Sequence, residues 1–216
     1  MKNILFPLVL CFYLTHITAQ SPKDYIKNIP GFYNSSSFPA EQYEGLSWQE
    51  FYALPTAKQI LHPENVDIRL FNAALFFASN KIRLQYGKSA LSYDEKLCNA
   101  AMTHSYNMVK QNFFNHVNPR PGPFVDMKSR IEAYGYEGQA MGENIAKGYV
   151  ELSKSKTYIQ IAEEVIRQFY NSPPHRANML KRSFQSSGQG SFFYAKAEYS
   201  QYWYFCVTQE YGTPWK

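Results

Sequence analysis

The sequence is short of cysteine. It has three in 216 residues, at positions 11, 98 and 206, and no CxxC pair of the kind that builds a structural zinc site. It is also short of charge bunched in one place: 22 Lys and Arg stand against 17 Asp and Glu, a formal +5 spread along the chain. That excludes a nucleic-acid footprint and supports only a weak preference for anionic surfaces. No internal repeat or low-complexity tract occurs, which removes solenoids and flexible arrays. The one long apolar run, residues 4–14, is too short for the roughly 20 residues a membrane-spanning helix needs, so no integral span is expected. No obvious nucleophile with a base beside it stands out.

What is present begins with "MKNILFPLVLCFYLTHITAQ". Lys2, the apolar run and a more polar "THITA" follow the order of a secretory signal peptide, residues 1–19, with cleavage expected after Ala19. A lipid anchor at Cys11 is the rival reading, but Leu10 stands where a small residue belongs. Lys2 is the only formal charge in residues 1–19, so their removal leaves 197 residues and a net charge of +4. That length suits one domain with an ordinary core, in a secreted or periplasmic protein. Cys98 and Cys206 remain; export permits a disulfide between them, and burial as plain core residues is the other reading. The 18 Tyr and 16 Phe point to aromatic packing and an exposed aromatic groove.

Residues 20–66 read as an irregular extension rich in Pro, Gly, Ser and aromatics. Within it Ser47 and Glu50 of "SWQEFYALP" form a capping-box pattern, which predicts a short helix stopped near Pro55. From Asp67 the apolar residues Ile68, Phe71, Leu75, Ala78 and Ile82 recur at helical spacing, with Asp67 as cap and Gly87 as stop. A second helix places Leu97, Ala101, His104, Ser105 and Met108 on one face, and ends before the prolines of "NHVNPRPGPF". A third buries Tyr158, Ile161, Ala162, Val165 and Phe169, with Glu163 and Glu164 off that stripe as solvated charges. "SPPHRANMLK" begins a fourth, and "SSGQGSFFYAK" with "YWYFCVTQEYG" reads as an antiparallel hairpin. The class is α+β, with helices covering a small antiparallel sheet.

Four histidines lie beyond residue 19. His62 reads as a solvated loop residue, and His104, on an apolar helix face, as a hydrogen-bonded core histidine. Ser172 can cap the fourth helix with Pro173 at its first position, which puts His175 in the first turn. The helix dipole disfavours imidazolium there, so a lowered pKa is expected, and the neutral ring can accept a proton or bind a metal. His116 opens a proline-rich loop, and Glu143 is expected in a turn after Gly142. The separations of His116, Glu143 and His175 match no short metal signature. Gathered by the fold, they make a plausible zinc set with water.

Six pieces in order resemble the CAP superfamily of cysteine-rich secretory proteins, antigen five and plant pathogenesis-related group one proteins. They are "SNKIRLQYGKSALSYDEKL", with Asn80, Arg83, Gly87, Leu91, Asp94 and Leu97, then "AAMTHSYNM" with "FFNHVNP", "GENIAKG", "NSPPHRANML", "GQGSFFY" and "VTQEYG". The likeness is to the short, cysteine-poor bacterial branch, the SCP-like extracellular proteins, over a domain of residues 67–213. It implies an α-β-α sandwich and a cleft lined by two His and two Glu that can hold a divalent metal such as zinc. His116, Glu143 and His175 match three of that set. Ser172 stands at the fourth place, where eukaryotic members have a glutamate.

Two functions compete on these grounds. One is a secreted protein that binds a small apolar ligand such as a lipid or sterol, or a peptide or surface glycan. The other is a metal-dependent hydrolase or protease using the His/Glu site, with a bound water as nucleophile. A polar network tying loops to the sheet is the purely structural alternative.

Overall fold

Asp67 accepts a hydrogen bond from the Leu70 N–H at 3.0 Å and so starts the first long helix where the sequence predicts it. The computed structural model describes residues 20–32, 38–39 and 42–215. The expected signal peptide lies outside the described residues. In chain order the elements are α1 (Pro22–Lys27), α2 (Trp48–Ala53), α3 (Ile68–Gln85), β1 (Ser92–Tyr93), α4 (Glu95–Lys110) and α5 (Met127–Ala133). Then follow β2 (Gly138–Glu151), α6 (Tyr158–Asn171), α7 (Pro173–Met179), β3 (Ser186–Ala195) and β4 (Tyr202–Pro214). The sheet has the order β1-β3-β4-β2; β4 pairs antiparallel with both neighbours, while the two-residue β1 pairs parallel with β3. The sheet is therefore mixed by one short edge strand, and the α+β sandwich expected from the sequence is the architecture found.

Strand alternation sends successive side chains to opposite faces. One face, with Ala146, Val150, Phe205, Val207 and Tyr211, packs under α3 and α6. The α6 stripe of Tyr158, Ile161, Ala162, Val165 and Phe169 is buried there. Each large side chain of that stripe contributes roughly 1.5–3 kcal/mol. The other face lies under α4, whose Met108 packs with Ile145 and Cys206. Arg83, fully buried near the end of α3, donates from Nη1 to the Met179 carbonyl at 2.6 Å and from Nε to the Ser89 carbonyl at 2.9 Å. It thereby fixes the end of α7.

The stretch before Asp67 is more ordered than its composition implies. The predicted capping box of Ser47 and Glu50 forms, and α1 is an additional helix with Ser21 as its cap. Ile26, Ile29 and Phe32 pack with Cys98 and Met102 of α4, and Phe51 stacks on Phe77 of α3 at 4.5 Å. Among the described residues no helix is long and apolar enough to cross a membrane.

Cys98 and Cys206 are both buried free thiols. Burial pushes each thiol up to about 11, which keeps it in the unreactive protonated form. The native protein should therefore leave both thiols unlabelled by a water-soluble disulfide reagent, and reductant should leave its Tm unchanged. Rapid labelling before unfolding would contradict this burial.

Candidate functional site

Glu143 sits in β2, not in the turn expected from Gly142, and faces the α4 side of the sheet. Directly opposite it across the β2–β4 ladder is Glu210. Both side chains are buried, Glu210 completely. Two carboxylates facing each other inside a sheet repel unless a cation or a proton intervenes.

The cation is Arg130. Asp126 caps α5 by accepting from the Ser129 N–H at 2.7 Å, and the helix delivers the fully buried Arg130 side chain to the two acids. Its Nη2 donates to Glu143 Oε2 and lies 3.7 Å from Glu210 Oε1. On its other oxygen, Oε1, Glu143 is bonded at 2.6 Å by His116 Nδ1. His104 lies behind, with Nε2 donating to the Asn115 carbonyl at 2.9 Å and 3.8 Å from Glu143 Oε2. Asparagines complete the frame. Asn178 of α7 donates to the Glu143 carbonyl at 3.1 Å and to Asn144 Oδ1 at 3.0 Å, while Asn144 donates to the His175 carbonyl at 3.1 Å.

The electrostatics follow from that arrangement. Burial alone would raise the Glu143 carboxyl, but the hydrogen bond from His116 and the charge of Arg130 outweigh it and hold it at about 2. Glu210 goes the other way: burial, then the charge of Glu143, push it well above the carboxylate range. His116 is raised, chiefly by its hydrogen bond to Glu143. His104 is lowered to about 4 by burial and then by Arg130. His175 is lowered by burial and then by the charge of His116. The direction for His175 is the one expected from the sequence. Its causes are burial and His116 rather than the helix dipole.

His116 and Glu143 are thus in direct contact. The His175 ring is close enough to feel His116 and rests edge-on against Phe169 at 5.3 Å, but among the described residues no hydrogen bond or ion pair joins it to Glu143. Ser172 does not cap α7 through its side chain. Pro174, at the second helical position, has no N–H to donate to it, and the Ser172 carbonyl accepts the first bond of the helix from the Arg176 N–H at 2.8 Å. Glu163 and Glu164 pair on the surface with Lys81 and Lys156 at 2.6 and 2.8 Å. His62 is exposed, 3.7 Å from Glu64.

Two residues of the cluster escape sequence reasoning. Glu210 had a signal: it continues the Tyr202, Tyr204, Cys206, Thr208 alternation of one sheet face, so an acid there points inward. Arg130 had only the Asp126 cap beside a proline-rich loop. Among the described residues no group of three or more His, Cys, Asp or Glu side chains is arranged to hold a metal ion. The donor set explains why. Both oxygens of Glu143 are engaged, His116 Nδ1 is spent on one of them, and a guanidinium lies beside both acids. As they stand, Glu143 and His116 Nδ1 are occupied by each other and by Arg130, and the open nitrogen of the His116 ring is Nε2 on its exposed side.

A family model described as CAP, the cysteine-rich secretory protein family, matches residues 76–211. The chain belongs to the CAP family. The matched segment starts inside α3 and ends in β4, so it holds His104, His116, Arg130, Glu143, His175 and Glu210. Relatives include uncharacterized protein YkwD of Bacillus subtilis (strain 168), 37% identical over 112 residues, 52% of this chain and 38% of that protein. Another is uncharacterized membrane protein YlbC of the same organism, 30% identical over 112 residues, 52% of this chain and 29% of that one. The chain thus spans well under half the length of these relatives. Among solved structures, an extracellular protein containing an SCP domain from Bacillus anthracis str. Ames aligns with a TM-score of 0.53 and 24% identity, covering 70% of this chain and 43% of that one. This shows the CAP fold shared between the two.

Proposed function

We propose that this CAP protein is an exported binding protein that takes a ligand with a carboxylate head and an apolar tail, either a fatty acid or an apolar peptide C-terminus. The observation that carries the reading is the His116 ring. Its Nδ1 is tied to Glu143 at 2.6 Å, which orients the ring, while half of the side chain stays exposed at 52% and leaves Nε2 for a ligand. Exposed Phe114 and Val117 flank it, and Lys147 Nζ stands 4.3 Å above the Phe114 ring as a second cation. A head group accepting from His116 and Lys147, with its tail on Phe114 and Val117, uses all four side chains.

The hydrolase reading has less support. A general base needs a lone pair facing its substrate, and Glu143 has both oxygens committed to His116 and Arg130. The test uses matched probes: octanoate against octanol, and an apolar peptide with a free against an amidated C-terminus. The expected result is a Tm rise with the carboxylate of each pair only, and loss of about tenfold or more in affinity on His116→Ala, the cost of a charge-assisted hydrogen bond. The peptide and fatty-acid arms tell the two sources apart. Equal binding of acid and neutral probes, or an indifferent His116→Ala, would refute the reading.

A further inference from the structure

Among the described residues β2 ends the sheet on one side, so one of its edges has no strand beside it. In an antiparallel ladder alternate residues turn both N–H and C=O towards the partner strand, and the residues between turn both away. Two bonds fix which are which. Leu152 donates to the Gln201 carbonyl at 3.0 Å, in line with β4, so the even-numbered residues of β2 face β4. The Glu143 carbonyl accepts instead from Asn178 of α7 at 3.1 Å, so the odd-numbered residues face outward. The register with β4 is unbroken from Ala140 to Glu151, which carries the alternation through to Lys147 and Tyr149. Asn178 closes the edge at Glu143 and Ile145 is buried, whereas Lys147 is exposed and Tyr149 is 62% exposed. Among the described residues no bond outside the β2–β4 ladder reaches the backbone of residues 147–150. Beside this stretch runs a groove of about 330 Å³ between β2 and α6, walled by Glu164 and Gln168 over the buried Ile161, Val165 and Phe205. A free strand edge next to a helix is a setting in which an extended peptide adds to a sheet by main-chain bonds.

The side chains say which peptide. On the α4 face Tyr149, Tyr204 and Tyr194 stand opposite one another across three strands, with rings 6.5 and 5.7 Å apart. An aromatic residue opposite Tyr149 would extend that ladder. Glu151 and Glu164 are taken by Lys154 and Lys156, while among the described residues no carboxylate pairs with Lys147. A lysine on an edge turns away unselected strands, and an acid opposite it is matched. Between the two, Gly148 carries no side chain over the Phe205 ring, so an apolar residue fits on the groove side.

We propose that the edge of β2 at Lys147 and Tyr149 is a strand-addition site for an extended segment of a partner protein. That segment carries an aromatic residue opposite Tyr149, an acidic residue opposite Lys147 and an apolar residue between them. The site does not rest on the ligand proposed above, since it uses main chain and internal side chains rather than a terminal carboxylate.

Two peptides blocked at both ends test it on the full chain: Glu-Val-Tyr-Val-Thr and its reverse, one for each strand direction. One of them should bind with one-to-one stoichiometry and slow the amide exchange of Lys147 and Tyr149, which is fast in the free protein. N-methylating the peptide amides that face β2 should weaken binding about tenfold or more, and N-methylating the outer ones should not. Lys147→Glu should weaken binding about tenfold, and Lys in place of the peptide Glu should restore it. His116→Ala, which removes the head-group site, should leave binding unchanged. Binding of neither peptide, indifference to inner N-methylation, or a requirement for His116 would overturn the proposal. A dimeric free protein with both amides already slow would also overturn it, because a second copy would then hold the edge.

Discussion

Glu143→Gln is expected to cost about 3–5 kcal/mol, while the same change at its direct cross-strand neighbour, Glu210→Gln, should raise stability at pH 7. The two acids share one cation but not one ionisation state. Glu143 is held as carboxylate at about 2, so its amide would leave the buried Arg130 charge without its main partner. Glu210 is held protonated by burial and by the charge of Glu143, so an amide reproduces the neutral form already present.

The sign of the pH dependence follows. In the unfolded chain Glu210 ionises above the usual glutamate pKa of about 4.3. The fold keeps its proton, so the native state binds more protons over that range and loses stability as pH rises towards the raised folded value. Gln removes that loss, and the benefit should grow from pH 5 to pH 8. The groups facing Glu210 are Arg130 on α5 and Glu143 on β2, with His104 of α4 and His116 behind Glu143. His104 acts on the acid side. Its folded value of about 4 lies below the unfolded 6.5, so stability falls as pH drops through that window, by on the order of 3 kcal/mol in full. Urea midpoints at pH 5, 6.5 and 8 separate the contributions. Equal damage from the two glutamate variants at pH 7 would mean that both acids are ionised.

Gly190→Ala should be as severe, for a steric reason. A Cβ on Gly190 would lie 2.1 Å from the Met102 nitrogen and 2.2 Å from the Ala101 carbonyl carbon, both in the backbone of α4. No rotamer change relieves such a clash. The helix must move off the sheet, weakening the packing of Met102 and the bond from Ser105 Oγ to the Gly190 carbonyl at 2.8 Å. A loss of about 4 kcal/mol or more is expected, comparable with the whole margin of about 5–15 kcal/mol of many domains. Gly87→Ala is the control: nothing lies within 4 Å, and only its φ of 63° opposes a side chain, so about 1 kcal/mol is expected. Thermal melts of both variants decide the matter. A Gly190→Ala protein as stable as Gly87→Ala would mean that α4 does not approach the sheet this closely.

The helices were legible because periodicity and caps agree. Asp67 and the Ser47–Glu50 box sit at element starts, and the α6 stripe is buried residue for residue. The hairpin of β3 and β4 was legible for the same reason. The Glu143 strand was not, because Gly142 and Gly148 read as turn residues. Here they serve close packing, since a Cβ at either would meet the Phe184 or Phe205 ring at 2.7 or 2.2 Å. That contact is made by chain many residues away, so no local pattern shows it. Arg130 was hidden likewise: its meaning depends on β2 and β4 arriving on either side of one carboxylate pair. Of the candidate site, His116 and Glu143 are in direct contact. The acid opposite Glu143 is Glu210 of β4, which no spacing rule along the chain connects to it.

The order of the sheet has a consequence for biogenesis. β4 is hydrogen-bonded on both sides and is the last of the described strands in chain order, while its partner β2 comes more than fifty residues earlier. Until β4 emerges, β2 and β3 have no neighbour to join them, and the acid facing Glu143 does not yet exist. The closure of the sheet therefore rests on pairings far apart in sequence, which must wait for β4. Sheet assembly is then triggered by the arrival of β4 rather than growing strand by strand.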